Sequence, residues 1–182
     1  MVQAINKGVT VQGESFKTWF FRHGMNLYPM FFCTGGKVLY IQKDWKCARV
    51  QLKFGLRTRN YVGTIFGGSQ FSAVDPFHIV LLINIFKKKY VVWDKAAEIK
   101  FKKPGRGKLR TEVRYEDEEI KYIQQQAEEH GRYEFVKTVE WIDEEGDVVS
   151  TVSKTIYVAT KEYFRQRQKE KSERKSVSDQ NS

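Results

Sequence analysis

Arg59-Asn60-Tyr61-Val62-Gly63-Thr64-Ile65-Phe66-Gly67-Gly68-Ser69-Gln70-Phe71-Ser72-Ala73-Val74-Asp75-Pro76 is the stretch that decides the fold. Gly67 and Gly68 open an apolar segment that reads as one long buried helix, from about Gly68 to Phe86. Asp75 lies inside that segment, where an ionised group is costly unless it has a partner or a use. Asn60 sits on the loop before it. The first amides of such a helix have no intrahelical acceptor and lie at the positive end of its dipole, and glycine lets a ligand carbonyl approach them. A tetrahedral oxyanion would be stabilised there. Asp75 falls seven residues past Gly68, close to two turns, so both project from about the same side. At the helical rise they stand about 10 Å apart along the axis, too far for one carbonyl to touch both. A two-fold dimer, with the glycines of one chain facing Asp75 of the other, resolves this. Pro76 frees a carbonyl near Ser72 and tends to bend the helix beside the carboxylate.

Outward from that stretch, the chain reads as α+β. Phe16, Trp19, Phe20 and Tyr28 give a helical pattern over residues 14–32, which Pro29 ends or kinks. Lys37–Gln42 and Arg49–Phe54 alternate as strands. After the long helix, Val91–Lys102 alternates Trp93, Lys95, Ala97, Ile99 and Phe101 against Asp94, Ala96, Glu98, Lys100 and Lys102. Lys108–Tyr115 is a further strand, Glu116–His130 a charged helix stopped by Gly131, and Tyr133–Ile142 with Val148–Val158 a hairpin. From Tyr163 on, the chain is Lys/Glu/Gln/Ser-rich, a frayed helix end or a disordered tail.

With 182 residues, 41% of them apolar, the chain is one globular domain with a sizeable core. Its longest apolar run, Pro76 to Phe86, is interrupted by His78 and Asn84 and is too short to span a bilayer. The N-terminus lacks the basic-then-apolar order of a signal peptide. Cys33 and Cys47 have no metal or redox spacing, and His23, His78 and His130 are scattered, so no metal site is expected. A cytoplasmic protein is the expectation. The net charge of +10 is concentrated: Lys87 to Arg110 holds ten Lys and Arg against Asp94 and Glu98. No nucleic-acid-binding motif accompanies this run, which suits a solvated face or the phosphates of a small ligand rather than nucleic acid.

The pattern Asn60, Gly67-Gly68, Asp75 resembles the hotdog-fold acyl-CoA thioesterases of the phenylacetate-degradation type. Their spacing is kept, but Phe66 stands where they have histidine. Residues 57–68, Asp75-Pro76, residues 91–97 and residues 101–105 are similar to a hotdog branch of unknown function, the C-terminal domain of YiiD proteins. The resemblance spans roughly residues 14–160. It implies a long central helix wrapped by a curved antiparallel sheet, with an N-terminal helical extension at about 13–32, a single domain over 1–162 and a charged tail over 163–182. It implies a homodimer or tetramer without a cofactor, acting on an acyl-CoA. Asp75 would be general base or nucleophile, Asn60 would orient the water or the carbonyl, and the amides of Gly67 and Gly68 would form the oxyanion hole. Asp94 takes the place of a hydroxyl that sometimes faces the thioesterase site, and a second carboxylate there would raise one of the two pKa values. Phe66 and Trp93 would wall an apolar pocket, and Lys102, Lys103 and Arg106 would hold the phosphates of coenzyme A.

Each assignment has a plain structural alternative. Asp75 could cap a kinked helix or pair with Lys95 across the interface. Asn60 could only turn its loop, and Gly67-Gly68 could only permit close packing. A non-catalytic acyl-CoA or lipid-binding module is the rival to hydrolysis.

Overall fold

The computed structural model describes residues 13–180, with side chains through Glu173; the first twelve residues of the expected domain and the last two of the tail lie outside them. Helices α1 (Phe16–Leu27) and α2 (Pro29–Phe32) lead into strands β1 (Gly36–Ile41) and β2 (Cys47–Lys53). Helices α3 (Gly67–Ser72) and α4 (Asp75–Ile85) follow, then β3 (Tyr90–Phe101), β4 (Lys108–Arg114), α5 (Asp117–His130), β5 (Arg132–Ile142), β6 (Val148–Thr160) and α6 (Lys161–Gln180). The strands form one antiparallel sheet in the order β1-β2-β4-β5-β6-β3. It wraps α4, whose Phe77, Leu81 and Leu82 are buried with Val50, Leu52, Val152, Ile156 and Val158 of the sheet. This is the α+β hotdog arrangement.

The apolar helix differs from the single rod expected of Gly68 to Phe86. Pro76 has no N–H to give to the carbonyl one turn earlier. The chain tightens into shorter bonds at the break, Val74 N–H to Phe71 O at 3.2 Å and Phe77 N–H to Val74 O at 3.1 Å. Two helices result, and Asp75 becomes a first-turn residue of α4, where the helix dipole favours a negative charge.

The simple alternation expected in β3 also fails. A bulge at Asp94–Ala96 sets Asp94 opposite Ile156 but Ala96 opposite Thr155. Asp94, Ala97, Ile99 and Phe101 therefore share the face that Ile156, Lys154, Val152 and Ser150 present, while Trp93 points the other way.

The N-terminal aromatics divide likewise. Phe16, Trp19 and Phe20 are exposed and stack on one another, and Thr18, Phe21 and Phe31 turn inward instead. The 3.6-residue period is present, but its buried stripe is offset from the largest rings. Helix α5 ends at Gly131, whose φ of +74° is the left-handed cap its glycine suits. From Lys161 the chain continues as helix α6, and Phe164 lies edge-on to Trp93 on the outer sheet face.

Candidate active site

The loop before α3 is built on itself. Thr64 takes both ends of the Asn60 side chain: its amide N–H donates to Asn60 Oδ1 at 2.9 Å, and its hydroxyl accepts from Asn60 Nδ2 at 2.8 Å. Gly63 closes the turn at a φ of +77°. Phe66 N–H donates to Thr58 O within the loop, and Ile65 N–H donates to Gly105 O, tying the loop to the β3–β4 turn. Behind it, buried Gln70 fastens α3 to the sheet. Its carbonyl accepts from Trp141 Nε1 at 2.7 Å, its Oε1 accepts from Ser150 Oγ at 2.6 Å, and its Nε2 donates to Ile65 O at 3.2 Å. Every polar group of that side chain is satisfied.

Two rings stand over the start of α3. A methyl group at Gly67 would meet Phe101 at 2.5 Å, and one at Gly68 would meet Phe66 at 2.3 Å. The glycines make room for those rings, which are themselves more than half exposed. Asn60, Phe66, Gly67, Phe101, Lys102 and Lys103 line one cleft of about 570 Å³. Asp75 and Asp94 do not line it.

Those two carboxylates meet elsewhere, on Lys154. This lysine has no exposed side-chain surface. Its ammonium donates to Asp75 Oδ1 at 2.6 Å, to the Asp75 carbonyl at 2.8 Å and to Asp94 Oδ2 at 2.5 Å. Burial raises the Asp94 pKa above its ordinary value, assisted by the Asp75 charge and opposed by Lys154. Asp94 Oδ1 is buried without a partner. Next to this cluster, His78 Nδ1 lies 3.1 Å from the Tyr115 hydroxyl. Desolvation, with the Lys154 and Lys137 charges, lowers the His78 pKa to about 3, so its ring is neutral. Burial, with Glu119 and Asp94, holds the Tyr115 phenol far above its usual range.

Lys154, the centre of this arrangement, is absent from the sequence-based candidates. Its signal was a lysine in register with Val152, Ile156 and Val158, on the apolar side of an alternating strand. Within the chain, Lys95 pairs with Glu134 at 2.9 Å. Trp93 stacks on Tyr157 with 4.3 Å between centroids, on the opposite face from Asp94, and lines a different cleft from Phe66. Lys103 is held between Asp143 and Asp147 at 2.6 Å each, whereas Lys102 is exposed and only 3.9 Å from Glu140. Arg106 is exposed on the β3–β4 turn, outside the cleft lining. A separate opening of about 630 Å³ lies where β4 and β5 part, joined only at Arg110 and Ile142, and contains none of the candidate residues.

Among the described residues, no cluster of His, Cys, Asp and Glu is placed to hold a metal ion. No helix among them is long and apolar enough to cross a membrane.

Residues 17–158 match the model of the family described as domain of unknown function DUF4442. The chain belongs to that family. Its solved structural relatives include a Pseudomonas aeruginosa protein of unknown function, described as a probable thioesterase. That protein is 18% identical at a TM-score of 0.70, over 83% of this chain and 99% of the other. A protein of unknown function from Chlorobaculum tepidum is 13% identical at a TM-score of 0.60, over 76% of this chain and 90% of the other. A thioesterase from Haemophilus influenzae is 10% identical at a TM-score of 0.57, over 83% and 96% respectively. At these identities the DUF4442 domain shares a fold with them. Among curated proteins none matches it.

Proposed function

We propose that this chain hydrolyses the thioester of an acyl-CoA at a site formed between two copies, and that it lies in a DUF4442 branch similar to the YiiD C-terminal domain. The observation that carries the reading is the half-exposed Asp75 carboxylate, one oxygen fixed by Lys154 and the other not. Such a group can take a proton from water. The thioesterase descriptions of the Pseudomonas and Haemophilus structures support the choice of bond.

In this reading the substrate carbonyl lies at the start of α3, where the Gly67 amide, with that of Gly68, stabilises the oxyanion. Water oxygen adds to the carbonyl carbon and its proton passes to Asp75 Oδ2. The C–S bond then breaks, and the proton leaves with the thiolate as free coenzyme A. The cleft lining omits Asp75, which supports pairing the cleft of one subunit with the carboxylate of the other. Tyr61, Val62, Phe66 and Phe101 are exposed around the cleft, as an interface requires. Asn60, bonded at both ends within its loop, serves by shaping that loop. Lys102, exposed at the rim and 3.9 Å from Glu140, is the cation assigned to a phosphate.

The test is release of free thiol from short, long and aromatic acyl-CoAs by wild type and Asp75→Asn. Wild type is expected to turn over at least one class. Asp75→Asn should lose at least about 100-fold in kcat with melting temperature and oligomer mass nearly unchanged. Equal turnover by the two proteins removes Asp75 from the chemistry. The engaged side chain of Asn60 favours one second reading, a non-catalytic acyl-CoA or lipid-binding module. Stoichiometric acyl-CoA binding without turnover at any chain length would establish that reading.

A further inference from the structure

Lys154 is fully buried, and burying an ammonium is costly unless anions and hydrogen bonds replace its water. All three of its N–H donors are used, and all three go to Asp75 and Asp94. The two carboxylates come from different elements, the first turn of α4 and the bulge of β3. Their bonded oxygens lie no more than about 5.1 Å apart, because they stand 2.6 and 2.5 Å from one nitrogen.

One carboxylate is enough to balance the charge of one ammonium. A second, placed against the first, repels it and leaves the cluster with more anions than cations. The two are also unequal. Asp75 is 46% exposed at its side chain and Asp94 28%, and Asp94 keeps its other oxygen buried and unpartnered. An aspartate paired one-to-one with a buried ammonium would be a poor base, because its charge would be fully matched. With the ammonium shared, the more open carboxylate, Asp75, keeps one oxygen that Lys154 does not bind. The other ionisable groups packed here are His78 on α4, Tyr115 after β4, Glu119 on α5 and Lys137 on β5. His78 is neutral, and Lys137 is bound to Glu119.

We propose that Lys154 is a positioning residue for the candidate hydrolysis, turning Asp75 Oδ2 toward the attacking water by gripping its Oδ1 and carbonyl, and that Asp94 shares the ammonium so that Asp75 remains a working base. The inference rests on the hydrolysis reading above.

The test compares wild type, Lys154→Met and Asp94→Asn in acyl-CoA hydrolysis across pH, with near-ultraviolet circular dichroism to establish folding. Lys154→Met should lower kcat by about 100-fold with KM held within about twofold, and its acid limb should move to higher pH because the cation is gone. Asp94→Asn should lower kcat by about tenfold with KM held, and its acid limb should move to lower pH because a neighbouring anion is gone. A folded Lys154→Met with wild-type kcat and pH profile overturns the proposal. If Lys154→Met does not fold, Asp94→Asn decides by the same criterion, since it keeps the Lys154–Asp75 pair. Absence of turnover in wild type defeats the hydrolysis reading instead. The shared ammonium is then judged by carbon-13 titration of the Asp94 carboxyl. Its midpoint should rise in Lys154→Met and fall in Asp75→Asn, and a midpoint unmoved in both overturns the sharing.

Discussion

His78 sits three residues past Asp75 on α4, its ring fully buried and its Nε2 without a partner. Because its folded pKa is about 3 and the ordinary value is about 6.5, the unfolded chain takes up a proton between those values and the folded chain does not. Stability from this residue is therefore complete above about pH 6.5 and declines as pH falls toward 3. Between pH 7 and 5 the loss is roughly 2 kcal/mol, or a melting temperature lower by roughly 4–8 °C. Asp94 acts in the opposite sense: its raised pKa contributes stability that is full below the ordinary carboxylate range and is lost as pH rises through the raised value. Thermal scans at pH 7 and 5 check the sum, and His78→Gln should flatten the slope. A wild-type melting temperature constant over this range would contradict the assignment of His78 as a buried neutral ring.

At the scale of elements, the joint between α5 and β5 also seats the C-terminal helix. Gly131 holds a φ of +74°, and a methyl group there would lie 2.4 Å from the Tyr163 ring. Thr160 N–H donates to Gly131 O at 2.9 Å, and Arg132 stands over the same ring. Gly131→Ala therefore meets both a left-handed backbone penalty of about 1–2 kcal/mol and a collision with α6. The expected outcome is a melting temperature lower by several degrees, with α6 cleaved by trypsin sooner than in wild type. Undisturbed proteolysis at α6 would show that the helix does not depend on this contact. Element pairing also cancels charge. The basic run from Lys87 to Arg110 looks isolated in sequence, yet Glu134, Glu140, Asp143, Glu144 and Asp147 come beside it from β5 and the β5–β6 turn. Those pairs are largely solvent-exposed and contribute little each. Their consequence is that Lys95, Lys102, Lys103 and Lys108 each face a carboxylate.

Over the whole molecule, the twelve-residue β3 is an edge of the sheet, and most of Trp93–Phe101 is exposed. A long edge strand invites pairing with another, and the composite site proposed above calls for such a pairing. Light scattering should return about twice the 21.4 kDa chain mass, and β3 amides should exchange slowly with solvent. A monomer with rapidly exchanging β3 amides would remove the composite site and require both halves from one chain.

The α+β class, the strand order along the chain, the Gly131 stop and the glycine–carboxylate spacing were legible in the sequence, whereas the apolar run expected as one helix is two. They are local: residue period, glycine and proline act over a few positions. Tertiary structure decided which groups meet. The bulge at Asp94–Ala96 turned Asp94 to the helix side and Trp93 away from it, a register choice made between strands separated by about fifty residues. It also brought Lys154 of β6 to Asp75 of α4, where only burial makes one ammonium the natural partner of two carboxylates. Spacing could nominate Asp75, but its charge environment comes from chain that no short-range pattern connects to it.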